Sequence, residues 1–209
     1  MLGTQFNWPR PCLACGDASC TALCPTCRPG NPHRVPHHVP GIRSCWTLSL
    51  YEHRLGQTVR LAKQAGQRPL AVALAELFAN RMAHVFQEAH FQALLAAPSP
   101  WTRRLKRGFH LPSLQARALS AAIAVPVVDA LRVSPGLRQA ALERAARHAN
   151  LKRRLRSTHP VRGRVLLIDD VWTTGATAQA CAKELLGDQT QEVHVATLCV
   201  TRPPDVHKI

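Results

Sequence analysis

The sequence predicts an α/β domain built on a parallel sheet and preceded by a small cysteine-rich segment. From Trp46 onward, stretches with apolar residues at three- and four-residue spacing alternate with short apolar runs. That alternation is typical of helices and strands joined by right-handed crossovers. Residues 1–45, by contrast, hold six of the eight cysteines and almost no periodic apolar pattern. We therefore expect two units, spanning residues 1–45 and 46–209.

Length and composition narrow the class of protein. With 209 residues, of which 46% are hydrophobic, the chain can bury a core and is not disordered throughout. Its formal net charge of +15, from 27 Lys+Arg against 12 Asp+Glu, favours polyanionic partners such as nucleic acid, polyphosphates or an anionic membrane surface. No stretch reaches the roughly 18 apolar residues of a membrane span, and the N-terminus shows no signal-peptide pattern. We expect a cytoplasmic protein without a membrane span.

The elements of the second unit are expected in a regular order. Helical spacing predicts helices over residues 51–66, 69–89, 111–124 and 176–186. Short apolar runs predict strands within residues 91–100, 125–133, 165–169 and 192–200. Between Arg138 and Arg164, nine Lys and Arg residues accompany a single acid, Glu143. This basic stretch is compatible with binding to a DNA backbone.

Two C-x-x-C pairs, Cys12-Leu-Ala-Cys15 and Cys24-Pro-Thr-Cys27, are separated by eight residues. Each pair can direct two thiolates at one ion, and two pairs complete a tetrahedral four-cysteine zinc site. Because so small a segment cannot pack a core of its own, we expect the Zn²⁺ to be structural. Metal-free thiols are the alternative. Other ligands also remain open, namely Cys20, His33, His37 and His38.

A second motif begins where an apolar run over residues 165–168 meets Asp169 and Asp170. Two residues later the sequence reads Thr-Thr-Gly-Ala-Thr, at 173–177. A Thr/Gly turn at a helix N-terminus offers N–H groups and hydroxyls to a phosphate, and the helix dipole favours the anion. Adjacent carboxylates repel a bare phosphate but suit the two hydroxyl donors of a ribose. The order therefore predicts a phosphorylated ribose as ligand; a plain strand–turn–helix with solvated acids and capping threonines is the alternative.

This stretch resembles the phosphoribosyl-pyrophosphate (PRPP) motif of type I phosphoribosyltransferases. The resemblance implies that Asp169 and Asp170 are the catalytic pair and bind the ribose 2′- and 3′-hydroxyls. It also implies that the loop holds the 5′-phosphate, through Thr173, Thr174, Gly175, Ala176 and Thr177.

A further segment, residues 97–119, resembles the P-x-P…R-x-x-R-G-F-N-Q segment of the ComF family, a branch named for competence proteins that support DNA uptake. His110-Leu111 replaces the family's Asn-Gln, whereas the other motif positions match: Pro98, Pro100, Arg104, Arg107, Gly108 and Phe109. Fixed guanidinium groups suit a pyrophosphate, and a solvated basic surface is the alternative. The resemblance implies pyrophosphate binding by Ser99, Arg104 and Arg107.

Two more segments match the same family. Tyr51, Lys63 and Gly66 fit its Tyr…Lys-x-x-Gly stretch. Its Q-x-x-L-x-x-x-x-R-x-x-N spacing is matched at Gln139, Leu142, Arg147 and Asn150. The resemblance implies a lid over the pyrophosphate that includes Gln139, Arg147 and Asn150, with an amphipathic helix face as the alternative. The fold that it implies is a parallel-sheet, type I phosphoribosyltransferase-like domain with a small N-terminal zinc ribbon.

The function implied by the resemblance starts from PRPP bound with Mg²⁺. An unidentified acceptor would displace pyrophosphate at the anomeric carbon, which makes the protein a phosphoribosyltransferase. The ComF family also implies a role in natural transformation, where incoming single-stranded DNA is handled beside helicase or recombination proteins. The alternatives are a PRPP sensor or DNA-binding accessory protein without turnover, and a nucleobase salvage phosphoribosyltransferase. The sequence predicts neither the acceptor nor the oligomeric state.

Overall fold

The structure is a computed structural model that describes residues 10–19, 22–28, 30–99, 101–133, 155–187 and 189–202. Its strands, in chain order, are β1 (Arg10–Pro11), β2 (Ala18–Ser19), β3 (His33–Arg34), β4 (Ser44–Leu50), β5 (Ala93–Ala96), β6 (Leu131–Val133), β7 (Leu155–Ser157), β8 (Gly163–Trp172) and β9 (Thr190–Val200). Its helices are α1 (Arg54–Ala62), α2 (Arg68–Phe86), α3 (Trp101–Arg107), α4 (Leu111–Ile123) and α5 (Ala176–Leu185).

The centre of the fold is a five-stranded sheet in the order β3-β4-β9-β8-β5. Its four longer strands run parallel, and β3 joins antiparallel at one edge. The register places Leu167 of β8 between Leu95 of β5 and Val195 of β9. The predicted parallel α/β domain is thereby confirmed.

The central strands form because their side chains are apolar on both faces. Residues 165–168 of β8, Val-Leu-Leu-Ile, are all fully buried. A strand covered on both faces has a continuous apolar run rather than an alternating one. The run ends at Asp169, so polar side chains of β8 first emerge at the carboxyl end of the sheet.

Helices cover both faces of the sheet, and each face has its own hydrophobic core. On one face α2 packs on α4, and Leu70, Leu74 and Phe78 of α2 are buried at helical spacing. On the other face α5 and the two-stranded pair β6-β7 bury Cys181 and Leu155. Within the described residues, every helix is too short or too polar to cross a lipid bilayer.

The cysteine-rich segment packs onto the α/β domain instead of standing apart from it. Cys12, Leu23 and Cys27 are buried in the same hydrophobic cluster as α2. Further along, β3 pairs with β4, and β4 begins at Ser44. The predicted boundary between residues 45 and 46 therefore falls inside β4, because the chain joins the sheet before the helical pattern begins.

Several elements were not predicted. They are helix α3 and strands β1, β2, β3, β4 and β7. The strand predicted over residues 125–133 shortens to β6, which pairs antiparallel with β7 outside the main sheet. Proline has no N–H to donate, so Pro126 offers only its carbonyl, which accepts the Leu94 N–H at 2.9 Å. Residues 126–128 consequently add an isolated bridge beside β5 in place of a strand.

Candidate ligand site and four-cysteine cluster

The candidate ligand site lies at the carboxyl ends of β5 and β8, the edge at which open parallel α/β sheets bind ligands. Strand β8 continues through Asp169 and Asp170, a short loop follows, and α5 begins at Ala176. Just after β5, the Ala97 N–H donates to the Ile168 carbonyl at 2.7 Å. This bond holds the loop after β5 beside the acidic pair.

The two aspartates point to opposite faces of the sheet, because neighbouring residues of a strand alternate. Asp170 lies on the face of α1, α2 and α4, where its Oδ1 is 2.8 Å from the Lys63 Nζ. Asp169 lies on the α5 face, where burial and then the charge of Asp169 raise the pKa of the Cys45 and Cys181 thiols. One sugar can meet both carboxylates only across the end of the strand. Their shared role in binding a diol stays a prediction.

Asp169 holds its proton more tightly than an ordinary carboxyl group. Burial, and then the charge of Asp170, raise the pKa of Asp169 from 3.8 to about 7. The Asp170 N–H, which donates to Asp169 Oδ1 at 2.8 Å, and the charge of Lys63 act in the opposite direction. The charge of the acidic pair therefore changes near neutral pH.

The loop before α5 is the predicted phosphate-binding segment. Thr173 and Thr174 are exposed, and the Thr174 hydroxyl accepts the Ala176 N–H at 3.4 Å. The first N–H groups of a helix have no acceptor within it, and the dipole makes this end positive. On its inner side the loop leaves a hollow of about 20 Å³ beside Asp169 and Thr177, which is room for about one water molecule. An anion would therefore approach from the exposed side.

Gly175 gives this loop its shape. Its φ of 73° is in the left-handed region that favours glycine, and a Cβ there would lie 2.6 Å from the Trp172 ring and 2.7 Å from Val39. The His37 ring packs on Trp172 with ring centroids 5.3 Å apart. His37 and Val39 thus pack behind the loop. The sequence analysis did not predict this contact, although a glycine within the loop is typical of a close approach by another segment.

The predicted pyrophosphate-binding residues follow β5. The Ser99 hydroxyl oxygen is buried and has no hydrogen-bond partner among the described residues. Arg104 is exposed and Arg107 half-buried, both on α3. Burial and the positive charges of Arg104 and Arg107 lower the pKa of His110 to about 4, while the charge of Asp170 acts to raise it. Both arginines and Asp170 are therefore near enough for their charges to act on His110.

Lys63, His110 and Gln115 complete the site, although the sequence assigned none of them a ligand role. His110 Nδ1 lies 2.7 Å from the Ser113 hydroxyl. Gln115 is fully buried, and its Nε2 donates to the Asp169 carbonyl at 3.5 Å. In the sequence, His110 was marked only by its place in the dipeptide that replaces the family's Asn-Gln. The predicted lid residues lie outside the described residues: Gln139, Arg147 and Asn150.

The two C-x-x-C pairs form one cluster, in which the four Sγ atoms lie within 4.8 Å of one another: Cys12, Cys15, Cys24 and Cys27. The Sγ atoms of Cys15 and Cys24 are 3.7 Å apart, and tetrahedral zinc at 2.3 Å from each sulfur requires about 3.8 Å. Burial acts to raise the pKa of Cys12, but main-chain N–H groups, led by that of Cys24, lower it to about 6. The cluster can therefore hold a metal ion.

Within the described residues, this cluster consists of cysteines alone. His33 lies in β3, and His37 packs on Trp172. His38 does not join the cluster either, so the mixed site left open by the sequence is not formed by these histidines. Cys20 lies outside the described residues.

The amino-acid sequence is similar to those of proteins named for DNA utilization. No protein-family model matches. DNA utilization protein YhgH from Shigella flexneri and that from Escherichia coli (strain K12) are each 28% identical to the chain over 204 residues. The alignment covers 91% of this chain and 90% of each relative. The chain is ComF-like, as predicted. The alignment therefore includes residues of both the cysteine-rich segment and the α/β domain.

Solved structures similar to this ComF-like chain are more distant. A hypothetical protein from Neisseria gonorrhoeae with bound ppGpp is 16% identical at a TM-score of 0.39, over 68% of this chain and 73% of that one. Purine phosphoribosyltransferase from Pyrococcus horikoshii gives 17% and 0.38, over 65% and 78%. Adenine phosphoribosyltransferase from Leishmania tarentolae gives 13% and 0.40, over 81% and 95%. Two of these three are named as phosphoribosyltransferases.

Proposed function

We propose that this ComF-like chain binds PRPP with Mg²⁺ at the carboxyl ends of β5 and β8 and acts as a phosphoribosyltransferase. The observation that carries the proposal is the order of groups along this edge. Asp169 and Asp170 end the buried run of β8, and the exposed Thr173 and Thr174 follow at the start of α5. Carboxylates accept hydrogen bonds from hydroxyls, and the N-terminus of a helix binds phosphate. PRPP carries both groups on one ribose.

The pyrophosphate of the same ligand is proposed to lie beside Ser99, Arg104 and Arg107. Guanidinium groups bind phosphate oxygens through charge-assisted hydrogen bonds. Ser99 supplies a buried hydroxyl without a partner among the described residues. Mg²⁺, when bound, would neutralise pyrophosphate charge, since this ion prefers oxygen ligands and is often held by substrate phosphates and few carboxylates.

In the proposed reaction, an acceptor nucleophile bonds to the anomeric carbon. The bond from that carbon to the pyrophosphate oxygen breaks, pyrophosphate leaves with the electron pair, and the acceptor loses its proton to solvent. Positive charge develops on the sugar, so positioning and charge stabilisation supply most of the catalysis. Asp169 and Asp170 would hold the ring by its hydroxyls with their negative charge beside it.

The test is titration with PRPP, with and without Mg²⁺, of the wild type and of an Asp169→Asn/Asp170→Asn variant. We expect the double variant to lose at least about 100-fold in affinity, because both carboxyl groups are replaced by neutral amides. Glu76→Gln, an exposed substitution on α2, is the matched control and should bind as the wild type does. Equal affinity in wild type and double variant would remove the sugar-binding role.

Turnover separates an enzyme from a sensor. We expect pyrophosphate release from PRPP when the correct acceptor is present, and a panel of nucleobases tests the salvage alternative in the same assay. PRPP binding without release from any acceptor would support a sensor.

DNA binding is a second candidate function. The net charge of +15 and the relatives named for DNA utilization favour it. On α3, Arg104 and Lys106 are exposed on either side of Leu105, which is 72% exposed. Binding through several phosphates predicts that affinity for single-stranded DNA falls steeply and linearly in a log–log plot against salt. Affinity that does not change with salt would rule out this mode.

The ion in the four-cysteine cluster is proposed to be structural Zn²⁺. Three of the four cysteines are buried within the core cluster that includes α2, so loss of the ion should loosen the segment 10–28. We expect one zinc per chain by elemental analysis, lost in a Cys12→Ser/Cys24→Ser variant and retained in Cys181→Ala. A folded wild-type protein that contains no metal would contradict this.

A further inference from the structure

Three buried polar atoms at the carboxyl edge of the sheet have no hydrogen-bond partner among the described residues. They are the Ser99 hydroxyl, Nε2 of His110 and Oε1 of Gln115. Leaving such an atom unpaired costs stability, because the group has lost its hydrogen bonds to water. Native proteins pair most buried polar groups, so exceptions in three residues that flank the carboxyl end of the sheet indicate a missing ligand.

The orientation of two of these side chains is held by their other polar atom. His110 uses Nδ1 for the Ser113 hydroxyl, at 2.7 Å. Gln115, which is fully buried, uses Nε2 for the Asp169 carbonyl, at 3.5 Å. A carbonyl can only accept, so this contact identifies the Gln115 atom near Asp169 as the NH₂ donor and the unpaired atom as the oxygen. Gln115 therefore presents an acceptor to the site, and Nε2 of His110 presents a donor in the tautomer in which Nδ1 accepts from Ser113.

His110, the N-cap of α4, and Gln115 within α4 lie on the same side of β8 as Asp170. Helix α4, which carries Gln115 and begins beside His110, packs on that face with α2, and Lys63 reaches Asp170 there. The charges of Arg104, Arg107 and Asp170 all act on His110. Positive and negative side chains thus act on His110, one of the residues with an unpaired atom.

The chemistry of the unpaired atoms selects the ligand. Gln115 Oε1 can only accept, so it needs a hydroxyl or N–H donor. Nε2 of His110 carries the proton when the Ser113 hydroxyl donates to Nδ1, and it then donates, beside the arginines, to an anionic oxygen. A hydroxyl next to an anionic leaving group is the arrangement at carbons 2 and 1 of PRPP.

We propose that Gln115 accepts a hydrogen bond from a ribose hydroxyl and that His110 donates one to a pyrophosphate oxygen of the same ligand. This inference rests on the proposed function and adds two residues to its binding site. Gln115 then complements Asp170, which is already paired with Lys63. Burial, and then the charge of Arg104, lower the pKa of His110 to about 4, so the side chain is uncharged at neutral pH in the ligand-free protein.

Two partial ligands, ribose 5-phosphate and inorganic pyrophosphate with Mg²⁺, test the two contacts separately. We expect Gln115→Leu to weaken ribose 5-phosphate about tenfold and to leave pyrophosphate unchanged, since one hydrogen bond is lost. We expect His110→Phe to weaken pyrophosphate about tenfold and to leave ribose 5-phosphate unchanged. His110→Gln, which restores an NH donor, should recover part of the loss, and the exposed Gln64→Leu is the control. Circular dichroism checks that every variant is folded.

The outcomes separate this inference from the proposed function. A wild type that binds neither partial ligand nor PRPP overturns both. A wild type that binds them, with folded Gln115→Leu and His110→Phe variants that bind equally well, overturns only the inference. So does a folded variant that loses both partial ligands to the same extent. The ratio of wild-type to His110→Phe affinity for pyrophosphate should stay constant from pH 6 to 8, and a step in that ratio would contradict an uncharged donor.

Discussion

The two ends of the parallel sheet differ in how their polar side chains are hydrogen-bonded. At the amino end, Ser44 Oγ lies 2.8 Å from Nδ1 of His194, whose Nε2 lies 3.1 Å from Glu192. Glu192 also pairs with Arg164 at 2.8 Å. Each of these groups has a partner within the protein, and the network joins neighbouring strands β4, β9 and β8.

At the carboxyl end, by contrast, Ser99, His110 and Gln115 each have one buried atom without a hydrogen-bond partner in the part of the chain that the structure describes. The carboxyl group of Asp169 is held in a state that resists ionisation. Satisfied polar groups stabilise a fold, whereas unsatisfied ones cost stability and are retained where a ligand pairs with them. The paired groups at the amino end therefore stabilise the fold, and the unpaired groups at the carboxyl end mark the candidate ligand site.

The largest expected effect comes from breaking the amino-end network. His194→Leu leaves the Ser44 hydroxyl, in a residue only 5% exposed, without its partner and removes the contact with the Phe91 ring. We expect the free energy of unfolding to fall by about 2 to 3 kcal/mol, measured by urea denaturation, while PRPP binding in the folded protein stays the same. Unchanged stability would show that the network does not hold this end of the sheet.

A smaller effect of opposite sign is expected for Asp169→Asn. The folded pKa of about 7 lies above the ordinary 3.8, so the folded state binds a proton that the unfolded state has released between these two pH values. Stability therefore falls as pH rises from about 4 to 7, and the full cost remains above pH 7. Asparagine removes this cost, so we expect a gain of roughly 1 to 2 kcal/mol at pH 8 and almost none at pH 4, after allowance for solvent at this half-buried site. A gain that does not depend on pH would contradict the raised pKa.

The smallest expected effect is that of Gln115→Leu on stability. The substitution removes a buried unpaired oxygen at the cost of one long hydrogen bond to the Asp169 carbonyl. We expect the free energy of unfolding without ligand to rise by up to about 1 kcal/mol. A loss of more than about 1 kcal/mol would show that Gln115 serves the fold, as His194 does.

Much of the fold could be predicted because its signals are local. The apolar run at residues 165–168 is a strand buried on both faces, and the spacing over residues 69–89 is helix α2. Around Pro126 a predicted strand is lost, because a missing N–H limits its pairing with β5. The extent of a strand depends on its neighbour as much as on its own residues.

The candidate site was only half predictable, for the same reason. The threonine loop could be recognised from consecutive residues, whereas Lys63 meets Asp170 across 107 positions and Gln115 meets Asp169 across 54. No spacing rule connects residues so far apart. The two aspartates point in opposite directions because β8 continues through both of them, and the sequence did not predict that the strand extends so far.

By itself, the sequence determined the order of helices α1, α2, α4 and α5 and of strands β5, β8 and β9. It also determined the two cysteine pairs and the acidic–threonine segment at a strand end, because each depends on residues close together along the chain. Only the tertiary structure decided which polar groups are paired. Pairing depends on which distant segments a buried atom meets, as between Ser44 and His194, 150 positions apart. A buried atom that meets none of them is left for a ligand.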